Sequence, residues 1–231
     1  PGVMYMVLSR DSKTIADSRV SVDLVNNIAS TGYVGYLLPQ RILAVKIVLD
    51  TGSYVVWVRG VEDVGDFLGR RGAYLNGNVA RNWVEADMGE ILAGICSASV
   101  GDEVNLVVNG RSLRIKIVGI FRSRTQSDVE LVVPMETVNM LVGDCSEVSL
   151  IEFSFKESVD DRDALEAIKG LLPEEVKVVR VQRTGEFVRQ INDEMLVFLD
   201  VLSLIIYAVV IVASYVIATK TIIELDYELF M

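Results

Sequence analysis

Asp160, Asp161 and Asp163 are the densest group of carboxylates in the chain, and oxygen donors at that spacing invite comparison with a hard-metal site. They also open an amphipathic run. Acidic side chains in a first turn complement the positive end of a helix dipole, so a solvated helix N-terminus explains them better. Glu174–Glu175 and Asp193–Glu194 are adjacent pairs, and neighbours on a helix do not face each other as acid and base. The 231 residues contain no histidine, which removes the commonest general base and the commonest metal ligand. Cys96 and Cys145 lie far apart without zinc-type spacing. They read as two buried thiols, or as a disulfide if the domain lies outside the cell. No Walker A, G-x-G-x-x-G or S-x-x-K pattern occurs. Gly69-Arg70-Arg71-Gly72 reads as a tight polar turn before it reads as a phosphate grip. No catalytic residue, cofactor or metal site is expected, and binding, sensing or transmission fits the chain better than catalysis.

The net charge of −10 argues against nucleic acid as a partner. A membrane is a different matter. Val201 to Thr219 (VLSLIIYAVVIVASYVIAT) carries no charge, Pro or Gly. At roughly 1.5 Å per residue it spans about 28 Å, the hydrocarbon thickness of a bilayer, and predicts one transmembrane helix over 201–219. Upstream, Phe187, Ile191, Met195, Phe198 and Leu202 follow helical spacing, with Arg189, Asn192, Asp193 and Glu194 on other faces. No breaker intervenes, so a stalk helix over 184–200 is expected to run straight into the membrane helix. Pro at position 1 suggests part of a longer protein.

The elements before the stalk alternate. Pro1 to Leu8 is apolar and too short to span; it is either the tail of an earlier membrane helix or a strand. Ser21 to Ala29 reads as a helix with Val22, Val25 and Ile28 on one face. Ile42 to Leu49 and Tyr54 to Val58 flank Asp50-Thr51-Gly52-Ser53 as a hairpin. Gly60 to Gly77 reads as an irregular connection, and Val84 to Ala93 as a helix. Glu103 to Val108 and Ser112 to Phe121 are strands joined by Asn109-Gly110, whose residues suit the positive φ angles of a type I′ turn. Glu130 to Val133 is a short strand, and Pro134 opens a helix through Leu141. Ser149 to Phe155, Asp160 to Leu172 and Val176 to Val181 form a strand–helix–strand unit, closed by Pro173.

This order resembles the extracytoplasmic core of MacB/FtsX-type ABC-transporter permeases over about Ser21 to Met231. The matching pieces are Arg59-Gly60-Val61, Asn76-Gly77, Glu85-Ala86, Val100-Gly101-Asp102-Glu103-Val104, Ile117-Val118-Gly119-Ile120-Phe121 and Val132-Val133-Pro134. The terminal strand–helix–strand unit and the stalk complete them. The resemblance implies an α+β fold: a porter-like α+β subdomain (1–61 and 148–183) split by an inserted β-rich subdomain (62–147). The stalk helix (184–200), the membrane helix (201–219) and the start of a cytoplasmic coupling segment (220–231) would follow. A further span would precede residue 1. Within the coupling segment Lys220, Glu224 and Glu228 are the candidate residues; Glu228 fits the family's Glu position, while of its basic stretch only Lys220 is present.

The function implied is that of a permease subunit, in the cell membrane with the α+β domain outside, coupled through the stalk to ATP hydrolysis on a cytoplasmic ABC ATPase. The chain would act as a homodimer or paired with a second permease. Arg180, Arg183 and Arg189 on the outer side oppose that orientation under the positive-inside rule, but large domains translocate largely regardless of charge. The alternative is a single-pass membrane-anchored binding or adhesion module.

Overall fold

The computed structural model describes residues 3–181. Along the chain lie β1 (Met4–Ser9), β2 (Val20–Ser21), α1 (Asp23–Ser30), β3 (Val34–Leu49), β4 (Gly52–Val61) and α2 (Val64–Arg70). Next come β5 (Tyr74–Gly77), β6 (Glu85–Gly89), α3 (Glu90–Cys96), β7 (Glu103–Val108) and β8 (Arg111–Arg122). The described chain ends with β9 (Glu130–Pro134), α4 (Met135–Val142), β10 (Glu147–Val148), β11 (Leu150–Phe155), α5 (Asp161–Leu171) and β12 (Val176–Val181). The domain is mixed α+β, built on one large sheet in the order β12-β1-β11-β3-β4-β9-β6-β8-β5.

The organising element is β3. Its 16 residues extend roughly 50 Å at about 3.3 Å per residue. Along one side it pairs with β4 throughout the hairpin, from Gln40↔Val61 to Leu49↔Gly52, which leaves Asp50 and Thr51 as the turn. Along the other side it changes partner. Val34 to Gln40 pair with β11, and Lys46 to Val48 pair with β7. Because β7 also pairs with β8, the strands β3-β4-β9-β6-β8-β7 close into a ring.

Two main cores follow from that switch. The interior of the ring is filled by Val45, Ile47, Val56, Val58, Met88, Leu106, Ile117 and Leu131, with Leu92 of α3 and Val138 and Leu141 of α4 packed against them. The other core lies between α1, α5 and the β12-β1-β11 part of the sheet. Tyr5, Phe153 and Phe155 are clustered there with ring centroids 5.3–5.5 Å apart, together with Leu24, Ile28 and Ile168. A smaller cluster forms where α2 lays Val64, Phe67 and Leu68 on Tyr36, Leu38, Val61 and Val132.

Most expected elements are present, with informative differences. The first apolar segment is β1. Gly60 to Gly77 is not irregular throughout: Asp63 caps α2 by accepting a hydrogen bond from the Asp66 amide at 2.8 Å. The apolar residues of α2 fall at helical spacing, a pattern obscured by three glycines in the same stretch. Val84 to Ala93 is not one helix. Glu85 to Gly89 is a strand buried on both faces, and Gly89, in extended backbone, ends it and begins α3. The strand–helix–strand unit is split: β1 inserts between β11 and β12 and runs antiparallel to both.

The register Met4↔Val181 places the start and the end of the described chain side by side. Among the described residues no helix is long and apolar enough to cross a membrane. The expected stalk (Phe187, Ile191, Met195, Phe198), the membrane run and the coupling residues Lys220, Glu224 and Glu228 lie outside the described residues.

At the β7–β8 turn Asn109 and Gly110 have φ of 48° and 78°, as a type I′ turn requires. A β-branched residue pays about 1–2 kcal/mol in that region. Gly110→Val is expected to lower stability by about that amount, read as a shift of the urea midpoint with an unchanged m-value.

Candidate functional site

Charged residues that interrupt apolar strands converge on one face of the sheet, under α2. Arg59 of β4 donates to both carboxylate oxygens of Glu130 of β9 at 2.6 Å, a bidentate pair. Its remaining Nη1 donates to Gln40 Oε1 of β3 at 2.5 Å. Gln40 Nε2 in turn donates to Glu152 Oε2 of β11. Only this orientation of the amide serves both neighbours, since Arg59 can only donate and ionised Glu152 can only accept. Arg71, just after α2, donates to Glu152 at 3.2 Å. Phe67 of α2 lies between the two guanidinium groups, 5.6 Å from Arg59 and 3.7 Å from Arg71. Arg59, Gln40, Glu130 and Glu152 are all buried.

Two arginines and two glutamates balance in charge, and the donors aimed inward have acceptors. The chain of contacts therefore offers no unspent charge to a substrate. What it does is mechanical. It crosses four adjacent strands, β9-β4-β3-β11, and so ties the closed ring to the helix-covered half of the sheet.

Two buried polar atoms stand outside it. Tyr36 Oη has no partner among the described residues, and burial pushes its phenol well above the usual range. The Arg70 guanidinium stacks on its ring at 3.7 Å. Asp87 of β6 is fully buried; its Oδ2 accepts the Ala80 amide at 3.1 Å, and its Oδ1 has no partner. Burial pushes the Asp87 carboxyl up to about 7.

The other residues singled out in the sequence have local roles. Asp160 caps α5, its Oδ1 accepting from the amides of Arg162 and Asp163 at 2.9 and 3.3 Å. No three carboxylate or thiol groups are gathered for a metal among the described residues. Arg70 pairs with Asp66, and Arg71 with Glu152, so the Gly69–Gly72 turn spends its charges internally. Cys96 is buried but Cys145 is exposed, and both are free thiols, against the expectation of two buried thiols or a disulfide. A groove of about 480 Å³ between α5 and β12 is lined by Tyr5, Asp161, Arg162, Lys169 and Arg180. Arg59, Gln40, Glu130, Glu152 and Asp87 went unnoticed as a group in the sequence. The available sign was a lone charge in the otherwise apolar strands β4, β9 and β11: Arg59, Glu130 and Glu152.

The closed ring fused through one long strand to a helix-covered half-sheet is similar in fold to solved extracytoplasmic domains of transporter proteins. The crystal structure of the periplasmic region of MacB from Actinobacillus actinomycetemcomitans matches with a TM-score of 0.60 at 16% identity, over 82% of this chain and 92% of that one. The extracellular domain of the ABC-type transporter YknZ from Gram-positive bacteria matches with a TM-score of 0.54 at 10% identity, over 76% and 99%. A domain assigned to a permease protein of Porphyromonas gingivalis gives 0.50 at 19% identity, over 77% and 89%. No protein-family model matches the chain, and no curated protein matches it in sequence.

Removing one partner of a buried ion pair leaves the other charge stranded, at about 3–5 kcal/mol, whereas replacing both with apolar groups costs far less. Arg59→Met is therefore expected to destabilise the domain by about 3–5 kcal/mol, and Arg59→Met with Glu130→Met to recover most of that loss. Chemical denaturation of the two single variants and the double variant measures the coupling.

Proposed function

We propose that the described residues are the extracytoplasmic domain of a permease subunit of an ABC transporter in the cell membrane. The observation that carries this reading is the pairing of Met4 with Val181. The chain enters and leaves the domain through two hydrogen-bonded neighbours, about 5 Å apart. Ends that close in that way suit a domain looped out between two consecutive membrane spans. The fold shared with MacB and YknZ supports the same reading, as does the apolar run 201–219 that follows β12 after a short stretch of sequence.

In this proposal residues 1–61 and 148–183 form a porter-like subdomain, and 62–147 a β-rich insertion. The core between α1, α5 and the sheet supports the first, since its buried residues all fall within 5–28 and 148–176, with Met135 of the insertion packed against it. The β3–β4 hairpin is the piece the two share. Residues 184–200 are the stalk, carrying Phe187, Ile191, Met195 and Phe198 on one face. Lys220, Glu224 and Glu228 belong to the cytoplasmic segment that meets a separate ABC ATPase. The chain acts as a homodimer or paired with a second permease. The ATPase supplies the free energy, and the stalk passes its conformational change to the outer domain.

Two measurements on the full-length protein test this. Cys145 is exposed, so a membrane-impermeant maleimide is expected to modify it in intact cells, or in spheroplasts where an outer membrane intervenes. Cys145→Ser is the control. Labelling only after the membrane is permeabilised would place the domain on the wrong side. The stalk is tested with Asn192→Pro, which removes a helical hydrogen bond and kinks the helix. ATP hydrolysis is expected to persist while the ATP-dependent change in distance between spin labels on Cys145 of paired copies is lost. An unaltered distance change would sink the lever.

A further inference from the structure

The segment between β5 and β6 crosses the sheet over a place where two oxygens converge. Gly119 of β8 sits at a bulge, where the register with β6 jumps from Ala86↔Ile117 to Asp87↔Gly119. A methyl group added to Gly119 would lie 2.5 Å from the Asn78 carbonyl oxygen and 2.7 Å from Asp87 Oδ1. Both atoms therefore border the position that a Cβ on Gly119 would take, no more than about 5.2 Å from one another. One is a backbone acceptor, and the other is the unpartnered oxygen of a fully buried carboxyl group. An ionised carboxylate beside a carbonyl oxygen repels it. A proton on one of them turns the repulsion into a hydrogen bond after a small rotation of the Asp87 side chain.

We propose that Asp87 is a proton-operated latch on residues 78–81. When neutral, its Oδ1 hydroxyl donates to the Asn78 carbonyl and holds the segment on the sheet. When ionised, having released its proton to solvent, it repels that carbonyl and lets the segment lift.

Residues 83 and 84 are held separately: Thr137 Oγ1 donates to the Trp83 carbonyl at 3.0 Å and the Lys116 amide to the Val84 carbonyl at 2.7 Å. Residues 78–81 are tied as follows. Asn78 donates to the Val118 carbonyl at 2.9 Å, and Ala80 to Asp87 itself at 3.1 Å. Arg81 donates to Glu85 at 2.8 Å. A cavity of about 380 Å³ lined by Asn78, Val79, Arg81, Asn82, Glu85 and Val118 lies alongside, so there is room for the segment to move.

The charged surroundings favour the neutral form. Glu85, on the same strand, adds negative charge that raises Asp87, and the backbone bond from Ala80 lowers it by less than burial raises it. On β8 the nearest charge in register is Lys116, opposite Glu85 rather than Asp87. On β9 the residue opposite Asp87 is Val132, and Glu130 on that strand is consumed by Arg59. From α2, Asp63 lies beside Gly65 and Val79 as a helix cap. The folded-state value lies above that of the unfolded chain. The contribution of the neutral form is thus complete at acid pH and lost as pH rises through about 7.

Hydrogen–deuterium exchange of the full chain in detergent, compared at pH 6 and pH 8 after correction for intrinsic rates, tests the latch. Amides of residues 79–81 are expected to lose protection by about fivefold or more at pH 8, while those of β7 do not change. Asp87→Asn is expected to abolish the difference, since its amide donates at every pH. If wild type shows no difference, or Asp87→Asn shows the same one, the latch is wrong. Glu85→Gln provides a second reading if Asp87→Asn does not fold. Removing the neighbouring negative charge is expected to shift the exchange midpoint to lower pH, and an unmoved midpoint would equally overturn the proposal.

Discussion

The bidentate pair between Arg59 and Glu130 is the contact on which the rest of the arrangement depends. Two charges cannot remain buried in a sheet unless each is matched, and matching them fixes the relative position of β4 and β9 within a fraction of an ångström. The spare guanidinium nitrogen then demands an acceptor, and Gln40 supplies it. The amide that satisfies Arg59 must present its nitrogen the other way, toward Glu152. Glu152 needs a second cation, and Arg71 reaches it only because α2 ends where it does. Each requirement passes to the next strand, so one ion pair determines the alignment of four strands and one helix. Such a chain confers little net stability over an apolar replacement, and its value lies in specifying one arrangement.

That specification is needed because β3 serves two cores. A strand that pairs with β11 at one end and β7 at the other leaves residues 41–45 without a ladder partner on that side. The gap is filled by side chains. Ser149 Oγ accepts from the Ile42 amide at 2.9 Å, and the Arg41 guanidinium reaches the Asp144 carbonyl. These contacts satisfy backbone groups that would otherwise be buried and unpaired. The junction is therefore closed by polar side chains on both of its faces, where an apolar seam would have allowed the ring to slide or tilt.

Local chemistry made much of this readable in the sequence. Asn109-Gly110, the acidic start of α5 and Pro134 before α4 each encode their element within a few residues. Asp63-Val64-Gly65-Asp66 also encodes a cap, but the surrounding glycines hid it. Glu85 to Gly89 was misread because a strand buried on both faces has no alternation to separate it from a helix. The ionic chain was not readable at all. Its members are up to 112 residues apart, and nothing local distinguishes Glu152 in a strand from any exposed Glu. Only the pairing of β11 with β3 gives it a partner. The Asp87 site is hidden for the same reason, since it exists only where a bulge brings Gly119 beneath Asn78.

The geometry also constrains how a displacement could travel. In the proposed reading, motion enters where β1 and β12 meet at Met4 and Val181. It reaches the ring through β11 and then β3, the strand pairing that joins the β12-β1-β11 part of the sheet to the ring among the described residues. β3 is continuous from the level of the chain ends to the Asp50–Thr51 turn, so a tilt applied at its base is expressed at its tip, roughly 50 Å away. A hinge in that strand would absorb the tilt. The ionic chain crosses β3 at Gln40, immediately before the stretch without ladder partners, and stiffens the strand where it is weakest. In the same proposed reading the domain works by transmission, and buried charges spent on one another supply the stiffness that transmission requires.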